Sequence, residues 1–130
     1  MNKNIKELIE SFEKPQIQNS LRRTLKTISF GNGGYSKSSI EYPKEGILSK
    51  EIIKTEKSDV TLFCMAKGTK ISEHTSTKQG FVFVIEGKGI FNLEKREIQM
   101  KEGVLIFMKE NAVHSLKAKE NTSFILALMK

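Results

Sequence analysis

Residues 68–89 read GTKISEHTSTKQGFVFVIEGKG, and residues 103–118 read GVLIFMKENAVHSLKA. Each stretch opens on a glycine and holds one of the only two histidines, His74 and His114. Each also carries a five-residue apolar run, Phe81 to Ile85 and Val104 to Met108. Apolar runs this short, closed off by turn residues, are strands, because a helix needs about ten residues to present a buried stripe.

The same pattern spreads outward from both. Gly46 to Thr55 and Val60 to Lys67 flank the turn Glu56-Lys57-Ser58-Asp59. Gly89 to Glu94, Glu97 to Met100, Val113 to Lys119 and Ser123 to Met129 complete the set. Their separators are turn-like, Glu86-Gly87-Lys88-Gly89 and Lys101-Glu102-Gly103 among them. Seven or eight short strands with no helical period between them predict an all-β chain, an antiparallel β-barrel or jelly roll.

Before Pro43 the period differs. Asn4 caps and Glu7 closes a capping box, and Ile5, Leu8, Ile9 and Phe12 form one apolar stripe that Pro15 ends. The spacing predicts a short N-terminal helix. Leu21, Leu25 and Ile28 fit a helix or an irregular strand, and Gly31-Asn32-Gly33-Gly34 is a break. No strand precedes that break, so it reads as a flexible loop rather than a phosphate cradle. The expected division is an N-terminal helical arm and extension over 1–43 and a β-barrel over 44–130, one structural domain overall.

Strand parity assigns faces. Ala112, His114, Leu116 and Ala118 share one face, so His114 points with the apolar set into the interior. Val82 and Val84 share the parity of Gly80 and should face inward with it, while Glu73 should turn away from His74. The runs FVFVI and VLIFM are apolar on both parities, whereas one face of an antiparallel strand is usually wet. Both faces are therefore expected to be covered, by the N-terminal helix or by a second copy. A homodimer packed through these strands is the expectation.

The charge of +7 comes from lysines spread along all 130 residues, with arginine only at Arg22, Arg23 and Arg96. The densest basic stretch, Leu21 to Lys26, has no aromatic neighbour in sequence. That argues for a solvated lysine-rich surface over a nucleic-acid partner. No apolar run approaches the ~18 residues that span a bilayer, and the first residues lack a secretory block. The one cysteine, Cys64, cannot form an internal disulfide and lies in the strand-like run Thr61 to Met65. It reads as an inert buried thiol in a cytoplasmic protein.

The two stretches resemble the motifs of the cupin family. The first, G-x5-H-x-H, then three or four residues, then E-x6-G, is met by Gly68, His74 and Gly87, with Ser76 at the second histidine position and Gly80 at the glutamate position. The second, G-x5-P-x-G-x2-H-x3-N, is met by Gly103 and His114, with Lys109, Asn111 and Ala118 replacing the proline, glycine and asparagine. The resemblance covers about residues 44–130. It implies a cupin barrel, and in metal-binding cupins an iron, manganese, nickel, copper or zinc ion on three histidines and one glutamate. This chain keeps two of those four ligands.

Three readings of His74 and His114 stand open: a two-histidine metal site for Fe, Zn, Mn or Ni, a metal-free pocket, or histidines with a structural role. The favoured function is a small-molecule-binding or sensing barrel lined by His74, Ser76, Gly80, Val82, Val84 and His114. The alternative is a metal-dependent enzyme of dioxygenase, isomerase or decarboxylase type, whose ion His74 and His114 would anchor. Gly80 in place of a glutamate is expected to widen the cavity.

Overall fold

The computed structural model describes residues 23–27 and 37–129. Ten strands are present in these segments: β1 (Arg23–Thr27), β2 (Ile47–Lys54), β3 (Ser58–Met65), β4 (Lys70–His74), β5 (Gln79–Glu86), β6 (Gly89–Leu93), β7 (Arg96–Met100), β8 (Leu105–Met108), β9 (His114–Ala118) and β10 (Thr122–Met129). They form a six-stranded sheet, β1-β2-β3-β10-β5-β8, and a four-stranded sheet, β4-β9-β6-β7. Neighbours run antiparallel except β1, which lies parallel to β2 with Arg23 opposite Ile47. The all-β expectation holds. Among the described residues no ladder joins the two sheets, so the arrangement is a β-sandwich.

The apolar parities meet between the sheets. Ile47, Met65 and Val84 come from one side and Ile71, Phe91 and Leu116 from the other. Phe63 and Phe124 stack at 5.3 Å between centroids. Each fully buried side chain of this size contributes on the order of 1.5–3 kcal/mol. The main core lies between the two sheets.

The strand reading missed β4. Lys70–His74 has one deeply buried apolar residue, Ile71, and no run to mark it. β3 also starts earlier than the turn reading placed it, because Asp59 is fully buried and pairs with Leu128 of β10. The expected N-terminal helix lies outside the described residues. The described part of the 1–43 extension holds β1 and a 3-10 turn, Lys37–Ser39.

A second small core sits on the outer face of the six-stranded sheet. Leu48, Leu62 and Cys64 are buried there, with Ile40, Tyr42, Ile52, Ile85 and Ile125 packed against them. The strap of residues 37–45 crosses this face and is fastened twice. Lys50 Nζ donates to the Ser39 carbonyl at 2.6 Å and pairs with Glu41 Oε1 at 3.1 Å. The Tyr42 hydroxyl donates to Glu86 Oε2 at 2.7 Å.

Farther along the same face the coverage ends. Phe83, Leu105 and Phe107 are 40%, 63% and 52% exposed. Among the described residues nothing covers this part of the face, and the N-terminal helix expected to cover it, if a second copy does not, lies outside them. Among the described residues no helix is long and apolar enough to cross a membrane.

Candidate functional site

His74 and His114 are direct register partners across β4 and β9. A β-bulge puts them there. Ile71 and His74 are three apart on β4, while their partners Leu116 and His114 are two apart on β9. The extra residue shifts the parity, so Ile71 and His74 both turn inward and Glu73 turns out to solvent. His114 follows the β9 alternation and is 4% exposed, as its parity required.

The rings meet edge to face, with centroids 4.1 Å apart and planes at 61°. Phe91 of β6 stacks parallel on His114 at 5.7 Å. His74 Nδ1 lies 2.9 Å from the Ser72 carbonyl, and His114 Nδ1 lies 3.0 Å from the Ala112 carbonyl. A carbonyl oxygen only accepts, so each Nδ1 is the donor. In the neutral ring each Nε2 then carries the lone pair. Two backbone bonds thus fix both tautomers and aim both rings.

These histidines line a cavity of about 20 Å³. Such a volume holds roughly one water-sized occupant. The rest of its wall is apolar: Phe63, Phe91 and Phe124 with Val82, Leu116 and Leu126, and one thioether, Met108. His74 is half-buried, which places it at the outer end of the pocket.

The remaining candidates are placed as follows. Val82 lines the cavity, whereas Ser76, Gly80 and Val84 are buried nearby without contributing to its wall. Ser76 lies between β4 and β5, where its Oγ accepts from the Lys78 N–H at 3.1 Å and its carbonyl accepts from the Asn111 N–H at 2.6 Å. The expectation that Gly80 widens the cavity is overturned. A Cβ on Gly80 would lie against the Ala127 carbonyl oxygen and 2.8 Å from Leu128 Cδ2. The space that a glutamate side chain would need is filled by β10.

The family's metal ligand set therefore does not fit these residues. One position is a hydroxyl already engaged by a backbone N–H, and another is closed by packing. Among the described residues no group of three or more His, Cys, Asp or Glu side chains could hold an ion. Sequence reasoning also missed Phe91 as a pocket wall. Its place on the inner parity of β6 was the available signal.

Cys64 is fully buried on the opposite face of the six-stranded sheet. Burial pushes its thiol up from the ordinary value, with the Lys50 ammonium and a backbone bond at Glu41 acting against the rise. Its burial agrees with the expected buried thiol.

Known proteins agree with this architecture. The family model of the cupin domain matches residues 61–129. A conserved protein of unknown function from Streptococcus pyogenes superposes with a TM-score of 0.71 at 20% identity, over 86% of this chain and 97% of that one. A cupin superfamily protein from Desulfitobacterium hafniense gives 0.67 at 16% identity, over 71% and 84% of the two chains. A predicted oxalate decarboxylase from Thermotoga maritima gives 0.60 at 14% identity, over 64% and 79%. At these identities the likeness is one of fold alone. Comparison with curated proteins gives no match. With a family match across more than half its length, on a sandwich that pairs the two motif histidines, the chain belongs to the cupin domain family.

Proposed function

We propose that this cupin is a binding or sensing module whose ligand is held by His74 and His114. The carrying observation is the imidazole pair, fixed by the Ser72 and Ala112 carbonyls and facing a cavity with otherwise apolar walls. Two imidazole edges at one end of a pocket with apolar walls can recognise a small polar group. Cupins often bind metals, and the alternative of a dioxygenase, isomerase or decarboxylase would need its anionic ligand. The packing of Leu128 against Gly80 closes that position, so the binding reading is preferred. A single buried cysteine is consistent with a cytoplasmic setting for it.

The test is thermal stabilisation by small probes. Formamide and methanol carry donors and are nearest the cavity in size, and acetonitrile is a compound of similar size without one. Donors at about a hundred times their dissociation constant should add ~2.7 kcal/mol to the native chain. The effect should vanish in His74→Ala and His114→Ala variants. Stabilisation that is equal for acetonitrile, or that survives both substitutions, would remove the histidines from the ligand site.

We also propose a second copy of the chain as the partner of the uncovered face. Phe83 pairs with Leu105 and Phe81 with Phe107 in the β5–β8 register, so the exposed apolar side chains are contiguous. β8 is the edge of its sheet, and its sequence LIFM has no charge or proline to discourage pairing. Isologous packing of this face on itself buries the apolar area of both copies at once.

A further inference from the structure

We propose that the chain binds a small monocarboxylate with an apolar body in a second pocket, lined by Leu93, Glu94, Arg96, Phe107, Lys109 and Ala112. This pocket has a volume of about 270 Å³ and shares no wall residue with the histidine cavity. It lies on the open side of the sandwich. β7 and β8 are the edge strands of their two sheets, and among the described residues no ladder joins them. Arg96 opens β7 and Phe107 lies on β8, so the pocket is walled from both sheets.

Local backbone bonds build it. The Ala112 N–H donates to the Lys109 carbonyl at 3.2 Å, closing a turn that brings both residues to one wall. At the tip of the β6–β7 hairpin Glu94 takes a positive φ of 56°, and Asn111, beside Ala112, takes 65°. The Glu94 N–H donates to the Val113 carbonyl at 2.7 Å, and Glu94 Oε2 accepts from the Val113 N–H at 3.2 Å. The hairpin tip is thereby tied to the residue after Ala112. The two halves of the pocket are held together before any ligand arrives, which lowers the cost of binding.

The charges select the ligand. Among the described residues neither Arg96 nor Lys109 forms an ion pair. Glu94 is the one acid on the wall, and its carboxylate is already engaged on Val113. Two cations against one engaged carboxylate leave a single positive charge for the ligand to balance. A monoanion balances it, whereas a phosphate dianion brings a surplus charge close to Glu94. The Arg96 guanidinium is the planar fork that a carboxylate accepts on two oxygens. Leu93 and Ala112 are buried and Phe107 is more than half exposed, so apolar surface stands beside the cations. That surface favours an apolar body on the anion.

The experiment is a titration of the isotope-labelled full chain with sodium benzoate at low ionic strength, followed through its amide resonances. At about 20 Å³ the histidine cavity is too small for benzoate and does not compete. Saturable shifts are expected at Arg96, Phe107, Lys109 and Ala112. Benzamide has the shape without the charge, and acetate the charge without the ring, so each should bind about tenfold more weakly. Arg96→Gln should cost on the order of tenfold, and Lys109→Gln, losing one solvent-exposed charge, only a few-fold. Added salt should weaken benzoate and leave benzamide unchanged. Phe107 also belongs to the face proposed for a second copy, and Leu105→Ser separates the two roles. Leu105 lines no part of the pocket, so that variant should keep the native affinity whatever it does to assembly. The assignment is overturned if these amides do not shift, if benzamide equals benzoate, or if phosphate binds more tightly than benzoate. It is equally overturned if Arg96→Gln binds as the native chain does or if Leu105→Ser loses binding. Because the two sites share no wall residue, failure here leaves the histidine reading intact, and failure of formamide and methanol leaves this pocket standing.

Discussion

Gly80 of β5 lies directly opposite Leu128 of β10, and Leu128 Cδ2 stands 2.8 Å from where a Cβ on Gly80 would be. The position that carries a glutamate in the family motif is thereby occupied by a neighbour's methyl group. Restoring the carboxylate by Gly80→Glu should therefore not restore a metal site. It should destabilise the chain by about 1–3 kcal/mol or more, because overpacking against a backbone carbonyl has no cheap relief. Urea denaturation of Gly80→Ala and Gly80→Glu checks this. Unchanged midpoints would show that β10 yields.

Both histidines should exist as the Nδ1–H tautomer when neutral. Long-range nitrogen–proton correlation spectra read this directly. An Nε2–H form at either ring would contradict the bonds to Ser72 and Ala112.

Stability should fall in alkali. Burial, first, raises the Cys64 thiol above its ordinary 9.0, and burial together with the Glu86 carboxylate raises the Tyr42 phenol above its ordinary 10.0. Above pH 9.0 the unfolded chain has released a thiol proton that the folded chain still holds, so the folded state loses ground. For Cys64 the slope approaches ~1.4 kcal/mol per pH unit. Urea melts at neutral pH and across the alkaline range should show the decline. Cys64→Ala and Tyr42→Phe should each flatten it, and a flat profile in the native chain would refute the account.

Lys50→Met should cost about 1.5–3 kcal/mol, the usual worth of a hydrogen bond from a charged donor. The loss is assigned to the Ser39 carbonyl contact at 2.6 Å. The Glu41 carboxylate is 53% exposed, so its pairing adds little in water. Accordingly Glu41→Gln should change the urea midpoint far less than Lys50→Met. Equal losses would move the weight to the ion pair.

Light scattering of the full chain at micromolar concentration should give a dimer. Leu105→Lys and Phe107→Lys should give monomers with their melting temperatures barely changed, since both side chains are more than half exposed in the single chain. A monomeric native chain would dismiss the second copy.

Much of this was legible in the chain itself. Strand parity placed His114, Val82 and Val84 correctly, because period-two alternation depends only on local backbone geometry. The inward turn of His74 was right for a reason that parity alone could not supply, namely the bulge between Ile71 and His74. What failed was the account of Gly80. A missing side chain looks like empty space in one dimension, and only the register of β10 reveals that Leu128 fills it. The strap was likewise hidden. Its fasteners join Ser39 to Lys50 and Tyr42 to Glu86, partners far apart in sequence with no shared period.

That strap gives the molecule a clock. The one thiol in the chain lies fully buried beside Leu48 and Leu62, on the face that residues 37–45 cross. A maleimide can react with it only when the outer core opens, and Ile40 and Tyr42 of the strap are part of that core. The reaction rate at excess reagent therefore counts opening events, independently of anything bound among the histidines on the other side of the sheet. Local breathing of the outer face and occupancy of the interior can thus be timed separately in the same tube.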